Sequence, residues 1–240
     1  MKIAVFGDSF CHTISTDDNV DYKTYHWAHH LGKMLGAESI DFYGEAGSSF
    51  YYSFKKIIDL GHNYDKVICC VTSPNRFPVK LVNDIALNRS SWTPGVENIA
   101  KNFDEETKTY LKGWFMLSDQ TYLDDVQESF ITYLEHKFNN IIFVPCFSTS
   151  FVTSRHSRGS FFNSGKFNLH QYHAIFRKVI EIQDNTSWEI VGPTGMLCHI
   201  PTEWHPHVAE TIFNHIKFGH DLHVKAFPIS NKTKSNYFIY

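Results

Sequence analysis

Short, continuous apolar runs alternate along this chain with stretches that carry an apolar residue every three or four positions, which is how strands alternating with helices are written. Lys2 to Phe6 is the first run, and Gly7 closes it, predicting a buried strand that stops in a tight turn. Tyr25, Ala28, Leu31 and Leu35 then recur at helical spacing within Lys23 to Leu35, ahead of Gly36. Ser39 to Tyr43 reads as a second strand, Gly44 to Ser49 as a small-residue loop, and Phe50 to Leu60 as a helix. Lys66 to Val71 is continuous in apolar character after its lysine and so predicts a central strand covered on both faces, ended by Pro74. Asp104 to Phe138 is mostly helical with a break near Ser118, and Asn140 to Phe147 reads as the fourth strand. Leu169 to Ile182 is a further helix, Trp188 to Val191 a short fifth strand, and Thr202 the N-cap of a last helix burying Val208, Ala209, Ile212, Phe213 and Ile216.

The order predicts an α/β fold in three layers, a five-stranded, mostly parallel sheet between helices. At 240 residues one domain over residues 1–240 is expected, with inserted loops near 78–103 and 148–168, where no clean period runs. The tail from Gly219 to Tyr240 is basic and aromatic and fits no element.

A net charge of -3 leaves no basic footprint, so the expected ligand is a small molecule or a neutral carbohydrate and not nucleic acid. The five cysteines are odd in number and lack a CxxC pair, which predicts reduced, buried thiols. No apolar run approaches the roughly 20 residues a membrane span requires, and the first strand begins at Lys2, so a soluble, cytoplasmic protein is expected. His26, His29 and His30 share a helix face, but no carboxylate or cysteine accompanies them; neither a metal nor any other cofactor is expected.

Ser9 stands just past the first strand, at the sheet edge where α/β proteins bind ligands, and Asp8 beside it can bond to the turn's amides and hold it rigid. The Gly47 loop and the Asn75-Arg76 pair reach the same rim. Backbone N–H groups near Gly47 can face an anion, Asn75 can donate to an oxyanion, and Arg76 can fix a loop or bind an acidic group. His199 precedes the last helix at that rim. Each of these positions is also ordinary turn or cap chemistry when taken alone.

Together Gly7-Asp8-Ser9-Phe10, the GEAGSSF loop, TSPNRF and the histidine ahead of the last helix resemble the SGNH (GDSL-like) hydrolases, and the likeness covers the whole core. It implies a flavodoxin-like sheet, Ser9 as nucleophile, and an oxyanion hole made by the amides of Ser9 and Gly47 with the Asn75 side chain. The third block lacks the usual Gly-x-Asn-Asp wording. The last block departs most, because Met196 stands where an Asp-x-x-His motif ending at His199 would have its acid.

His205, followed by proline, is the rival base, with Thr202 three residues before it; His199 is preferred because His205 falls within the first turn of the helix. Glu203 or Asp184 is then left to orient the imidazole, or the site runs as a Ser–His dyad. The stretch His-Ile-Pro-Thr-Glu resembles viral and phage-like members of this broad group. The expected activity is hydrolysis of short acyl esters of a carbohydrate, lipid or small molecule. The alternatives are a catalytically impaired carbohydrate-binding or structural module, and a metal-dependent hydrolase built on His199, His205 and His207.

Overall fold

The fold is given by a computed structural model, which describes residues 1–12, 22–45, 47–74, 76–78, 86–88, 105–106, 109, 113, 117, 119–146 and 205–218. Four described strands form one parallel sheet: β1 (Lys2–Gly7), β2 (Ser39–Gly44), β3 (Lys66–Val71) and β6 (Ile141–Pro145), in the spatial order β2-β1-β3-β6. Counted along this sheet alone, the order is 2-1-3-4. The expected fifth strand, Trp188 to Val191, lies outside the described residues.

The central strands are apolar throughout because both of their faces are covered. Ile3, Val5, Ile68, Cys70, Ile142 and Val144 point to one side and pack on α2 (Trp27–Leu35) and α5 (His205–Phe218) through Trp27, Leu31, Val208 and Ile212. The residues between them, Ala4, Phe6, Val67, Cys69, Ile141 and Phe143, point to the other side. There they meet α3 (Phe50–Leu60) and α4 (Gln120–Lys137) through Ile57, Ile131 and Leu134. No helix of the described residues is long and apolar enough to cross a membrane.

The helix expected over Lys23 to Leu35 breaks in two. A short α1 (Tyr22–Tyr25) precedes His26, whose extended backbone (φ -65°, ψ 140°) and Nδ1, accepting from the Ala28 N–H, make it the N-cap of α2. The break rotates the apolar face: Trp27 is buried, and Tyr25, expected inside, is exposed. Gly36 ends α2 in the left-handed region at φ 67°. The break near Ser118 falls where Asp119 caps α4, its carboxylate accepting from the Thr121 and Tyr122 amides, and those bonds hold it below the usual carboxylate range. Part of the loop expected from residue 78 is ordered: β4 (Arg76–Pro78) pairs antiparallel with β5 (Ala86–Asn88). Thr202, the expected cap of the last helix, lies outside the described residues.

Candidate active site

Beyond β1 the chain folds into one turn of 3-10 helix, Ser9–Cys11, with Asp8 as its N-cap. The Asp8 carboxylate accepts from the Phe10 N–H at 3.0 Å, and the Cys11 N–H donates to the Asp8 carbonyl at 2.9 Å. Phe10 and Cys11 are buried while Ser9 is half-buried, so the turn offers its serine to the rim of the sheet. The neighbouring thiol is no competitor as a nucleophile. Burial pushes Cys11 up to about 12, and Cys69, Cys70 and Cys146 are pushed well up by the same cause.

Two glycines make room for this turn. Gly7 and Gly44 are register partners at the ends of β1 and β2, and the turn folds back across them. A Cβ on Gly44 would stand 2.5 Å from the Cys11 carbonyl oxygen and 2.7 Å from the Cys11 Cβ. Because the obstacle is backbone, Gly44→Ala is expected to shift the turn, at a cost of about 1–3 kcal/mol in urea unfolding. A wild-type midpoint for Gly44→Ala would mean that the turn yields freely.

Asp8 is fully buried, and its carboxylate joins three segments. Oδ2 accepts from the Thr72 hydroxyl at 2.7 Å and pairs with Arg76 Nη1 at 2.7 Å; the Cys146 thiol lies 3.7 Å from Oδ1. The same Arg76 nitrogen donates to the Ser48 carbonyl at 3.2 Å, and the Ser48 hydroxyl donates to the Gly7 carbonyl at 3.2 Å. Gly47 sits at φ 76°, where an L side chain is strained. Among the described residues, neither the Ser9 nor the Gly47 amide donates to a protein acceptor. Two backbone amides, one on the serine turn and one on the Gly47 loop, are thus left without a bond among the described residues.

On the other side of the turn lies a buried histidine pair. Trp27 Nε1 and His26 Nε2 both donate to the Phe10 carbonyl, at 3.0 and 2.9 Å. The Trp27 N–H, an otherwise orphaned donor at the start of α2, is accepted by His205 Nδ1 at 2.8 Å. The His26 and His205 rings are 5.5 Å apart. A neutral His205 that accepts at Nδ1 carries its proton on Nε2.

Burial, and then the neighbouring His205, hold His26 well below the ordinary histidine value of 6.5. The unfolded chain takes up a proton there first. The stability His26 contributes is therefore full above about pH 6.5 and falls as pH drops, by up to about 1.4 kcal/mol per pH unit. The urea midpoint of the wild type is expected to decline more steeply on acidification than that of His26→Asn, which can still cap Ala28. Parallel declines would assign the acid sensitivity to other groups.

In structure the chain resembles lipolytic and esterase proteins of the G-D-S-L type. A candidate lipolytic protein of the G-D-S-L family from Desulfitobacterium hafniense DCB-2 aligns at 11% identity and a TM-score of 0.35, over 89% of this chain and 98% of that one. The acetyl xylan esterase Est2A from the rumen bacterium Butyrivibrio proteoclasticus aligns at 11% identity and a TM-score of 0.40, over 90% of this chain and 63% of that one. A member of the lipolytic G-D-S-L family from Veillonella parvula DSM 2008 aligns at 14% identity and a TM-score of 0.31, over 91% of this chain and 98% of that one. No protein-family model and no curated protein sequence matches the chain.

Of the residues singled out in the sequence, Ser9, Asp8, Gly47 and Arg76 lie at one end of the sheet, with the Asp8–Arg76 ion pair tying the serine turn to β4. Asn75, His199 and Glu203 lie outside the described residues, as do Asp184 and Met196. His205 is described, as the buried partner of the Trp27 amide. His26, His29 and His30 do not share one face: His26 turns inward to Phe10, while His29 and His30 are half-buried. Among the described residues no group of three or more His, Cys, Asp or Glu is placed to hold a metal ion.

Thr72, Ser48 and Gln127, whose amide donates to the Thr72 carbonyl at 2.8 Å, were not singled out. Thr72 did leave a signal, a hydroxyl at the end of a strand that is otherwise apolar. Gln127 left none, being one polar residue among several on a helix.

Proposed function

We propose that this protein is a serine hydrolase that cleaves short acyl esters through an acyl-Ser9 intermediate. The observation that carries the reading is the half-buried Ser9, on a turn capped by a buried aspartate that Arg76 ties to the Gly47 loop, with the amides of Ser9 and Gly47 bonded to no described acceptor. A serine hydroxyl is a weak nucleophile until a base removes its proton, and the tetrahedral intermediate needs donors aimed at its oxyanion. In this reading His199 takes the Ser9 proton as Oγ attacks the ester carbonyl. The two amides and the Asn75 side chain receive the oxyanion, and His199 returns the proton to the leaving alkoxide. Water activated by the same histidine then releases the acid and restores Ser9.

The Nδ1 contact of His205 supports giving the base to His199. A base that receives the serine proton at Nε2 must carry its own proton on Nδ1, the reverse of the tautomer that accepts from the Trp27 N–H. The orienting group for His199 is Glu203 or Asp184, or the site is a dyad. Short acyl groups on a carbohydrate, lipid or small molecule are the proposed substrate class.

The test is mass spectrometry of the protein after a fluorophosphonate probe, alongside hydrolysis of p-nitrophenyl acetate. One adduct, on Ser9, with turnover, is the expected result. No adduct and no turnover from mildly acid to mildly alkaline pH would overturn the reading and leave a carbohydrate-binding or structural module in its place.

A further inference from the structure

We infer that Arg76 is the positioning residue of the oxyanion hole, a clamp that sets the spacing of the Ser9 and Gly47 amides; this rests on the hydrolase reading of Ser9. The two amides belong to loops that leave different strands, and the β1–β2 register ends at Gly7 and Gly44. Past that point the Glu45 N–H and the Ser48 hydroxyl still reach the Gly7 carbonyl, at 3.1 and 3.2 Å, but neither bond reaches Asp8 or Ser9, and donors to an oxyanion act only when held within about half an ångström of the productive geometry.

A single nitrogen joins the two loops at the residues that flank those amides. Arg76 Nη1 donates to Asp8 Oδ2 at 2.7 Å and to the Ser48 carbonyl at 3.2 Å. Asp8 is the residue before Ser9, and Ser48 is the residue after Gly47. Arg76 itself comes from a third segment, β4, so neither loop can move relative to the other without breaking one of its bonds.

The chemistry suits arginine in particular. A planar guanidinium fixes the directions of its N–H groups, whereas a lysine ammonium is a flexible point charge. With only 8% of its side chain exposed, Arg76 is too enclosed to serve as a handle for an acidic substrate. Its effect therefore passes through the two amides to the transition state and leaves ground-state binding alone.

The experiment compares the wild type with R76K and with the double variant Asp8→Asn/Arg76→Gln, which leaves no unpaired charge in the core. Rates are taken per folded molecule by circular dichroism. Both variants are expected to lose about 10- to 100-fold in kcat on p-nitrophenyl acetate, with KM within about twofold and the pH profile unshifted. Unchanged kcat in either folded variant overturns the assignment. So does a KM rise confined to anionic esters, which would make Arg76 a substrate ligand, or activity that tracks only the folded fraction. Fluorophosphonate labelling of wild-type Ser9 runs alongside. If the wild type does not label, the hydrolase reading fails and this assignment with it; a labelled wild type beside an R76K enzyme of full kcat overturns the assignment alone.

Discussion

Ser9→Ala is expected to lower kcat for p-nitrophenyl acetate by about a thousandfold or more while leaving the urea midpoint within about 0.5 kcal/mol of the wild type. The two halves of that expectation come from different atoms. The turn is held by backbone groups and by Asp8: Phe10 N–H to the carboxylate, Cys11 N–H to the Asp8 carbonyl. The Ser9 hydroxyl takes no part in either bond, and the side chain is half-buried, so alanine removes the attacking oxygen without opening a cavity in the core. A variant that keeps its activity would place the nucleophile elsewhere. Cys11, two residues on, is a poor substitute, since burial keeps it a neutral thiol. A variant that loses activity and stability together would make Ser9 structural.

The outline of the fold was legible because its strands and helices announce themselves locally. Lys66–Val71 is apolar from Val67 on, and Phe50–Leu60 lies between Ser49 and Gly61; both elements form with the bounds their sequence gives. The Ser9 turn was legible for the same reason, a strand meeting Gly7 and then a capping aspartate. What escaped depends on partners far apart in the chain. Histidine is no favoured N-cap, and the break at His26 is set by the Phe10 carbonyl and by the Trp27 N–H reaching His205, 178 residues away. The antiparallel pair β4 and β5 has three residues in each strand, too few to show a period.

The site divides in the same way. Sequence placed Asp8 and Arg76 at one rim but could not pair them across 68 positions. The pairing follows from sheet register. Phe6 lies beside Cys69, so the residues just past the two strand ends meet, and the Thr72 hydroxyl reaches Asp8. The Thr72-Ser73-Pro74 segment then turns, with the Arg76 N–H donating to the Ser73 carbonyl at 3.1 Å, and brings the guanidinium back over the carboxylate. A parallel neighbour, which no local pattern specifies, decides which charge neutralises Asp8.

That neutralisation carries the largest stability effect expected in the molecule. Arg76→Met should destabilise the fold by about 3–5 kcal/mol in urea, because it leaves a wholly buried carboxylate without its cation. Thr72 and the Phe10 amide would still donate to Asp8, but neutral donors do not offset the cost of burying the charge. Asp8→Asn/Arg76→Met should recover most of the loss, ending within about 2 kcal/mol of the wild type, since asparagine buries no charge, its Oδ1 still accepts from the Phe10 N–H, and its Nδ2 can donate to the Thr72 hydroxyl. A loss below about 1 kcal/mol in Arg76→Met would show that Asp8 is relieved by water or by another group. The double variant also separates two roles of one side chain: restored stability without restored turnover would mean that the charge of Arg76 holds the fold, while the direction of its N–H groups serves the reaction.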